Sequence, residues 1–187
     1  MSDKSPPSSL TPIELEFAQI RYHWKIFCEL FDNEKNVQLL NKSGSEVFRL
    51  FQRLLINDTM QSLCRIADPA QSYGNSNNSL RHHFDIIRKT LDSSSQDEIR
   101  NHLTALDLQL ESIKKMRNKV LSHNDLAVVQ KSADYPEVSY DDIEKTIDLI
   151  CQILHKLFKT NGQYMPTSAV GGTSILLNVL SRGHDIS

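Results

Sequence analysis

Apolar side chains recur along this chain at steps of three and four residues, in blocks separated by short polar breaks. That spacing puts them on one face of an α-helix. The first block is Ile13, Phe17, Ile20, Trp24, Phe27 and Phe31. Before it stands Thr11-Pro12-Ile13-Glu14, an N-cap threonine, a proline at the first helical position and an acid three residues after the cap. A short helix or turn is expected from Asn33 to Leu40, ended by Lys42-Ser43-Gly44-Ser45. A second long helix is predicted from Glu46 to Asp68, with Val47, Phe51 and Leu54 as its core line. Asp58 and Arg65 continue that line, so two charges stand where the pattern expects apolar side chains.

Asp68-Pro69 closes this helix, and Gln71 to Asn78 reads as a polar loop. Leu80, Phe84, Ile87 and Leu91 predict a third helix. Ile99, Leu103, Leu106, Leu110 and Ile113 form the most regular stripe, in a fourth helix running from Gln96 to about His123. Ser139-Tyr140-Asp141-Asp142 opens a fifth with a cap and first-turn acids; it carries Ile143, Ile147, Ile150, Leu154 and Leu157 and stops at Asn161-Gly162. No run of β-alternation is visible. The prediction is an all-α antiparallel bundle of four to five helices over residues 11–160. Residues 1–10, rich in Ser and Pro, are expected to be disordered. Residues 161–187 form a tail whose apolar patch, Ile175 to Leu180, is either a docking helix or a partner-binding segment.

Composition narrows the class. The chain has 187 residues, of which 39% are hydrophobic and 24% charged, as in a globular protein of one domain. A net charge of -2 gives no global attraction to nucleic acid or acidic lipid, so any basic surface must be local. Cys28, Cys64 and Cys151 lie far apart within predicted helices, without CxxC or Cys/His ligand spacing. Buried, reduced thiols are expected rather than a zinc site or disulfide framework. No cofactor or metal is implied. No apolar run is long enough to cross a bilayer and Met1 to Ser9 lacks the apolar centre of a signal peptide, so a cytoplasmic location is expected.

The candidate chemistry sits at the end of the fourth helix. The stripe that ends at Ile113 continues to Arg117 and Val120, which puts a guanidinium in the core line. Desolvating it costs several kcal/mol unless it is paired or opens to water. His123 follows one turn beyond Val120, with its Cβ about 9 Å from that of Arg117 along the axis. An Arg and a titratable His in one cleft suit phosphodiester chemistry, because Arg grips phosphate oxygens and His moves protons near neutrality. A structural alternative stands beside this one: Lys114, Lys115, Arg117, Lys119 and His123 occupy the last turns of a helix, where cations complement the dipole. Lys114, Lys115 and Lys119 track an RNA backbone in the first reading and form a solvated face in the second. Asp58 and Arg65 are candidate supports for Arg117 or His123, or an ion pair at the bundle edge, the latter slightly favoured. His82-His83 lacks metal-ligand partners at helical spacing and is expected at the surface.

Arg117-Asn118-Lys119-Val120-Leu121-Ser122-His123-Asn124-Asp125 resembles the Arg-Asn-x4-His signature of the HEPN (higher eukaryotes and prokaryotes nucleotide-binding) superfamily. The segment Asn57 to Asp68 resembles its abortive-infection-associated branch. The resemblance covers roughly residues 11–160 and does not extend to the tail. It implies a metal-independent endoribonuclease of a phage-defence or toxin–antitoxin type, acting as a homodimer whose Arg and His meet across a two-fold axis. Arg117 would hold and polarise the scissile phosphate, His123 would be the acid/base, and Asn118 would orient the phosphate or the imidazole. An antitoxin or defence-system protein is the implied partner besides RNA. The competing reading is a non-catalytic module that binds nucleotide, RNA or protein through the same cleft.

Overall fold

A computed structural model describes residues 10–118, 137–159, 164 and 171–185. Helix α1 spans Pro12–Phe31 and opens on the expected capping box: the Thr11 side chain accepts from Glu14 N–H, and the Glu14 carboxylate accepts from Thr11 N–H. Helix α2, Glu34–Ile66, starts from Asn33, whose side chain accepts from Lys35 and Asn36 N–H. The expected break at Lys42 to Ser45 narrows to one residue: only Gly44 leaves helical dihedrals (φ 167, ψ 68), and helix continues on both sides.

The polar loop that follows contains a two-residue hairpin, with Gln71–Ser72 (β1) paired antiparallel to Asn75–Ser76 (β2). Tyr73 and Gly74 at its tip both take positive φ (51 and 81), as a type I′ turn requires. Helix α3 (Leu80–Ile87) ends in a 3₁₀ turn at Arg88–Thr90, and α4 covers Ser93–Gln109. The regular stripe of the predicted fourth helix is therefore divided. Leu110 (φ -81, ψ -3) separates α4 from α5 (Glu111–Met116), although Leu110 N–H and Lys114 N–H keep the four-residue bonding pattern across the break. Helix α6 (Tyr140–Phe158) opens on a second capping box, Ser139 with Asp142. Helix α7 (Gly172–Asp185) lies against α2 and α1 and is tied by Thr173 Oγ1 to the Glu29 carboxylate.

The core is built from α1, the second half of α2, α3, α4, α5 and α6. Ile99, Leu103, Leu106, Leu110 and Ile113 all point into it, as do Ile143, Ile147, Ile150, Leu154 and Leu157. Trp24 stacks on Phe27, with Tyr140 edge-on to both. Tyr164 enters the same core, edge-on to Phe17 at 5.5 Å and stacked on His155 at 5.4 Å. The line Val47, Phe51, Leu54 was expected inside and is outside: these residues are exposed at 68%, 38% and 55%. Asp58 and Arg65 share this outward line, so their charges need no burial. Among the described residues, no helix is long and apolar enough to cross a membrane.

Candidate functional site

The core line of α5 ends at Ile113, which has no exposed surface. Its successor, Arg117, emerges at the bundle rim with 29% of its side chain exposed, so the expected desolvation penalty is largely avoided. Arg117 and Asn118 form a π-type turn, wider than the α-helical one before it. Two neighbours hold the guanidinium. Its Nε donates to Asn118 Oδ1 at 3.1 Å, and its Nη1 lies 4.0 Å from Asp68 Oδ1. Asp68 follows the end of α2 and is fixed by its N–H bond to Arg65 C=O at 3.1 Å. A guanidinium has five N–H donors, so these contacts leave a fork free for an oxyanion.

Under this rim lies Cys64, fully buried. Burial pushes its thiol pKa up; Arg117 and Lys114 act against that shift and Asp68 adds to it. Lys114 is not a free cation: its Nζ reaches Asp107 Oδ1 at 2.9 Å. Arg81 takes the other oxygen of Asp107 at 2.5 Å, while its second nitrogen donates to Ala67 C=O at 2.5 Å. One carboxylate and one guanidinium thus connect the end of α2, α3, α4 and α5. Lys115 points outward and pairs loosely with Glu111 at 3.8 Å. Lys119 and His123 lie outside the described residues.

Asp58 and Arg65 both turn to α1. Asp58 Oδ2 is 2.7 Å from His23 Nδ1; Arg65 donates to Glu16 at 2.7 Å and to Ser62 at 2.9 Å. Each pairs with a side chain of α1 rather than with the other: Arg65 in a salt bridge to Glu16, Asp58 in a hydrogen bond with His23. His82 and His83 are half-buried instead of freely exposed: His83 hydrogen-bonds Asn78 and lies edge-on to Phe158. Burial and the neighbouring His82 lower the pKa of His83.

Sequence reasoning missed a groove of about 580 Å³ beside this rim. Phe27, Met60, Met116, Val138 and Tyr140 line its apolar part, and Arg49, Gln52, Arg53 and Asn57 its polar wall. Met116, which lines it, immediately precedes Arg117, but the Arg117 side chain turns to Asp68 and is not part of the groove wall. It also missed the holders of the cationic groups, Asp68, Arg81 and Asp107. Asp68 was visible only as a helix stop before Pro69.

The family model HEPN_AbiU2 (AbiU2) matches residues 12–159. No curated protein and no solved structure matches the chain.

Proposed function

The chain belongs to the HEPN_AbiU2 family, and on that premise we propose that it is a metal-independent endoribonuclease of an abortive-infection or toxin–antitoxin type system. The observation that carries this reading is the disposition of Arg117: a partly exposed guanidinium at the bundle rim, steadied by Asn118 and Asp68. A cation held in that way is preorganised for the extra charge of a phosphorane-like transition state. Arg117 binds two non-bridging oxygens of the scissile phosphate, and Asn118 fixes the plane of the guanidinium. His123 takes the proton of the ribose 2′-OH or returns one to the departing 5′-oxygen. The 2′-oxygen forms a bond to phosphorus as the P–O5′ bond breaks, leaving a 2′,3′-cyclic phosphate and a 5′-hydroxyl. Two protomers supply the two proton-transfer groups, with Lys115 and Lys119 on the RNA backbone and Lys114 acting through Asp107. An antitoxin or defence-system protein restrains or triggers the activity.

One observation favours a binding module instead. Asp68 already gives Arg117 a carboxylate partner, and a carboxylate beside the cation opposes an incoming phosphate. The test is incubation of purified wild-type and His123→Ala protein with total RNA in EDTA. Cleavage by wild type alone, with cyclic-phosphate ends, is the expected result. Binding of RNA by both proteins without cleavage by either would replace the enzyme with the binding module.

A further inference from the structure

One face of α2 walls the groove. Arg49, Gln52, Arg53, Ile56, Asn57 and Met60 follow one another at steps of three and one, the spacing that aligns side chains along a single helix face. The face changes character along its length. Its two guanidiniums lie toward Gly44, while Ile56 and Met60 lie toward the core, with the amides of Gln52 and Asn57 beside them. Met116 of α5, Val138 and Tyr140 at the start of α6, and the buried Phe27 of α1 line the same space.

The polar groups of this wall are uncommitted. Arg53 is exposed and has no hydrogen-bond or ion-pair partner among the described residues, and neither have the amides of Gln52 and Asn57. Arg49 meets only Glu46, at 3.4 Å between two largely exposed side chains. An exposed pair of that kind is weak and gives way to a better partner. Two guanidiniums against one carboxylate leave one positive charge over. A fork for one anionic group, amides beside it and an apolar bed beyond make up a small-molecule site rather than a solvated helix face.

We propose that the groove binds a small organic monocarboxylate, its acid group on Arg53 and Arg49 and its apolar body against Met60, Met116 and Tyr140. Arg53 and Met60 are seven residues apart, about 10 Å along the helix, which sets the length of that body. An aryl-alkyl or medium-chain acid spans it; a free amino acid does not. The cavity of about 580 Å³ is of the size that takes such ligands. The thioethers of Met60 and Met116 adapt to a ring or a chain alike. A phosphomonoester fits less well, because it carries close to two negative charges against one surplus positive, and Glu46 repels it. A nucleic-acid strand brings a further charge with every nucleotide. The site requires no cleavage of RNA by Arg117.

Of the four methionines in the chain, Met60 and Met116 line the groove, so carbon-13 labelling of the methionine methyls reads it directly. The full chain is titrated with 4-phenylbutyrate and with its neutral isostere 4-phenylbutanamide; Met60→Leu and Met116→Leu assign the two resonances. Saturable shifts of both methyls are expected, with a Kd for the acid below about 1 mM and binding of the amide at least about tenfold weaker. Arg53→Gln, at an exposed position, should lose most of that preference by weakening the acid alone. Ile56→Trp should fill the groove and abolish both titrations with helicity unchanged. No shift of either methyl at about 5 mM acid, equal binding of acid and amide by wild type, or a preference undiminished in Arg53→Gln would overturn the proposal. So would a single-stranded RNA that moves both methyls at lower concentration than the acid and loses this in Arg53→Gln, because the groove would then be part of an RNA path.

Discussion

The guanidinium of Arg117 stands 4.0 Å from the carboxylate of Asp68, which joins the last turn of α5 to the end of α2. The contact is too long for a strong hydrogen bond and partly open to water. It steadies the arginine without quenching it.

Removing the carboxylate should separate positioning from stability. Asp68→Asn is expected to change folding stability by less than about 1 kcal/mol, as for other partly exposed pairs. Turnover of RNA should fall about tenfold, because Arg117 loses the group that orients it. Thermal unfolding and single-turnover cleavage measure the two effects. An unchanged or faster cleavage rate would show that Asp68 is a competitor of phosphate, not an aid.

The planar fork matters as well as the charge. Arg117→Lys can still face Asp68 but cannot bind two phosphate oxygens in parallel, nor hold Asn118 through an Nε–H. We expect a loss of about 100-fold in cleavage with nearly unchanged RNA affinity. Parallel rate and gel-shift measurements on the variant decide it. Full activity in Arg117→Lys would reduce the role of Arg117 to a point charge.

The thiols give the protein a pH dependence on the alkaline side. Burial, reinforced by Glu144, Asp32 and Glu29, raises the Cys28 pKa from 9.0 to about 11; burial also raises those of Cys64 and Cys151. Between these values the unfolded thiols have released protons that the folded ones keep. The folded state then binds more protons, so stability falls as pH rises. Urea midpoints should be flat up to about pH 8.5 and decline from there toward 11. Cys28→Ala should flatten part of that decline. At pH 8, Cys28 should also be alkylated far more slowly than a free thiol, despite its partial exposure.

Tyr164 ties the chain beyond α6 to the core. Its ring is 1% exposed between Phe17 and His155. Tyr164→Ala removes a buried aromatic and should cost about 3 kcal/mol, read as a shift in the denaturant midpoint with an unchanged slope. A shift under about 1 kcal/mol would mean that neighbouring side chains close the gap, the lower end of what core truncations show.

Local rules carried much of the fold. The Thr11-Pro12-Glu14 start, the Ser139 cap and the stripes of α1, α4 and α6 were legible because caps and periodicity act within a few residues. The stripe Val47, Phe51, Leu54 was equally legible as a stripe, but not its direction. Periodicity says which side chains share a face and nothing about whether another helix covers that face. Asp58 and Arg65 on the same line were the hint that it looks outward. Arg117 and Asn118 stood out because a cation interrupted an apolar line, yet their setting depends on Asp68, 49 positions earlier. No spacing rule reaches that far. Tyr164 was invisible for the opposite reason: a lone aromatic in a polar stretch has no period at all.

Arg81, Asp107 and Lys114 share one carboxylate and one backbone carbonyl, and that sharing limits how the three positions vary in descent. Changing Asp107 alone strands two cations near the end of α2; changing Arg81 alone leaves Ala67 C=O without its donor. Among relatives of this chain, the three should drift as a set, exchanged together or kept together. Lys115, whose partner is an exposed acid on its own helix, should wander freely.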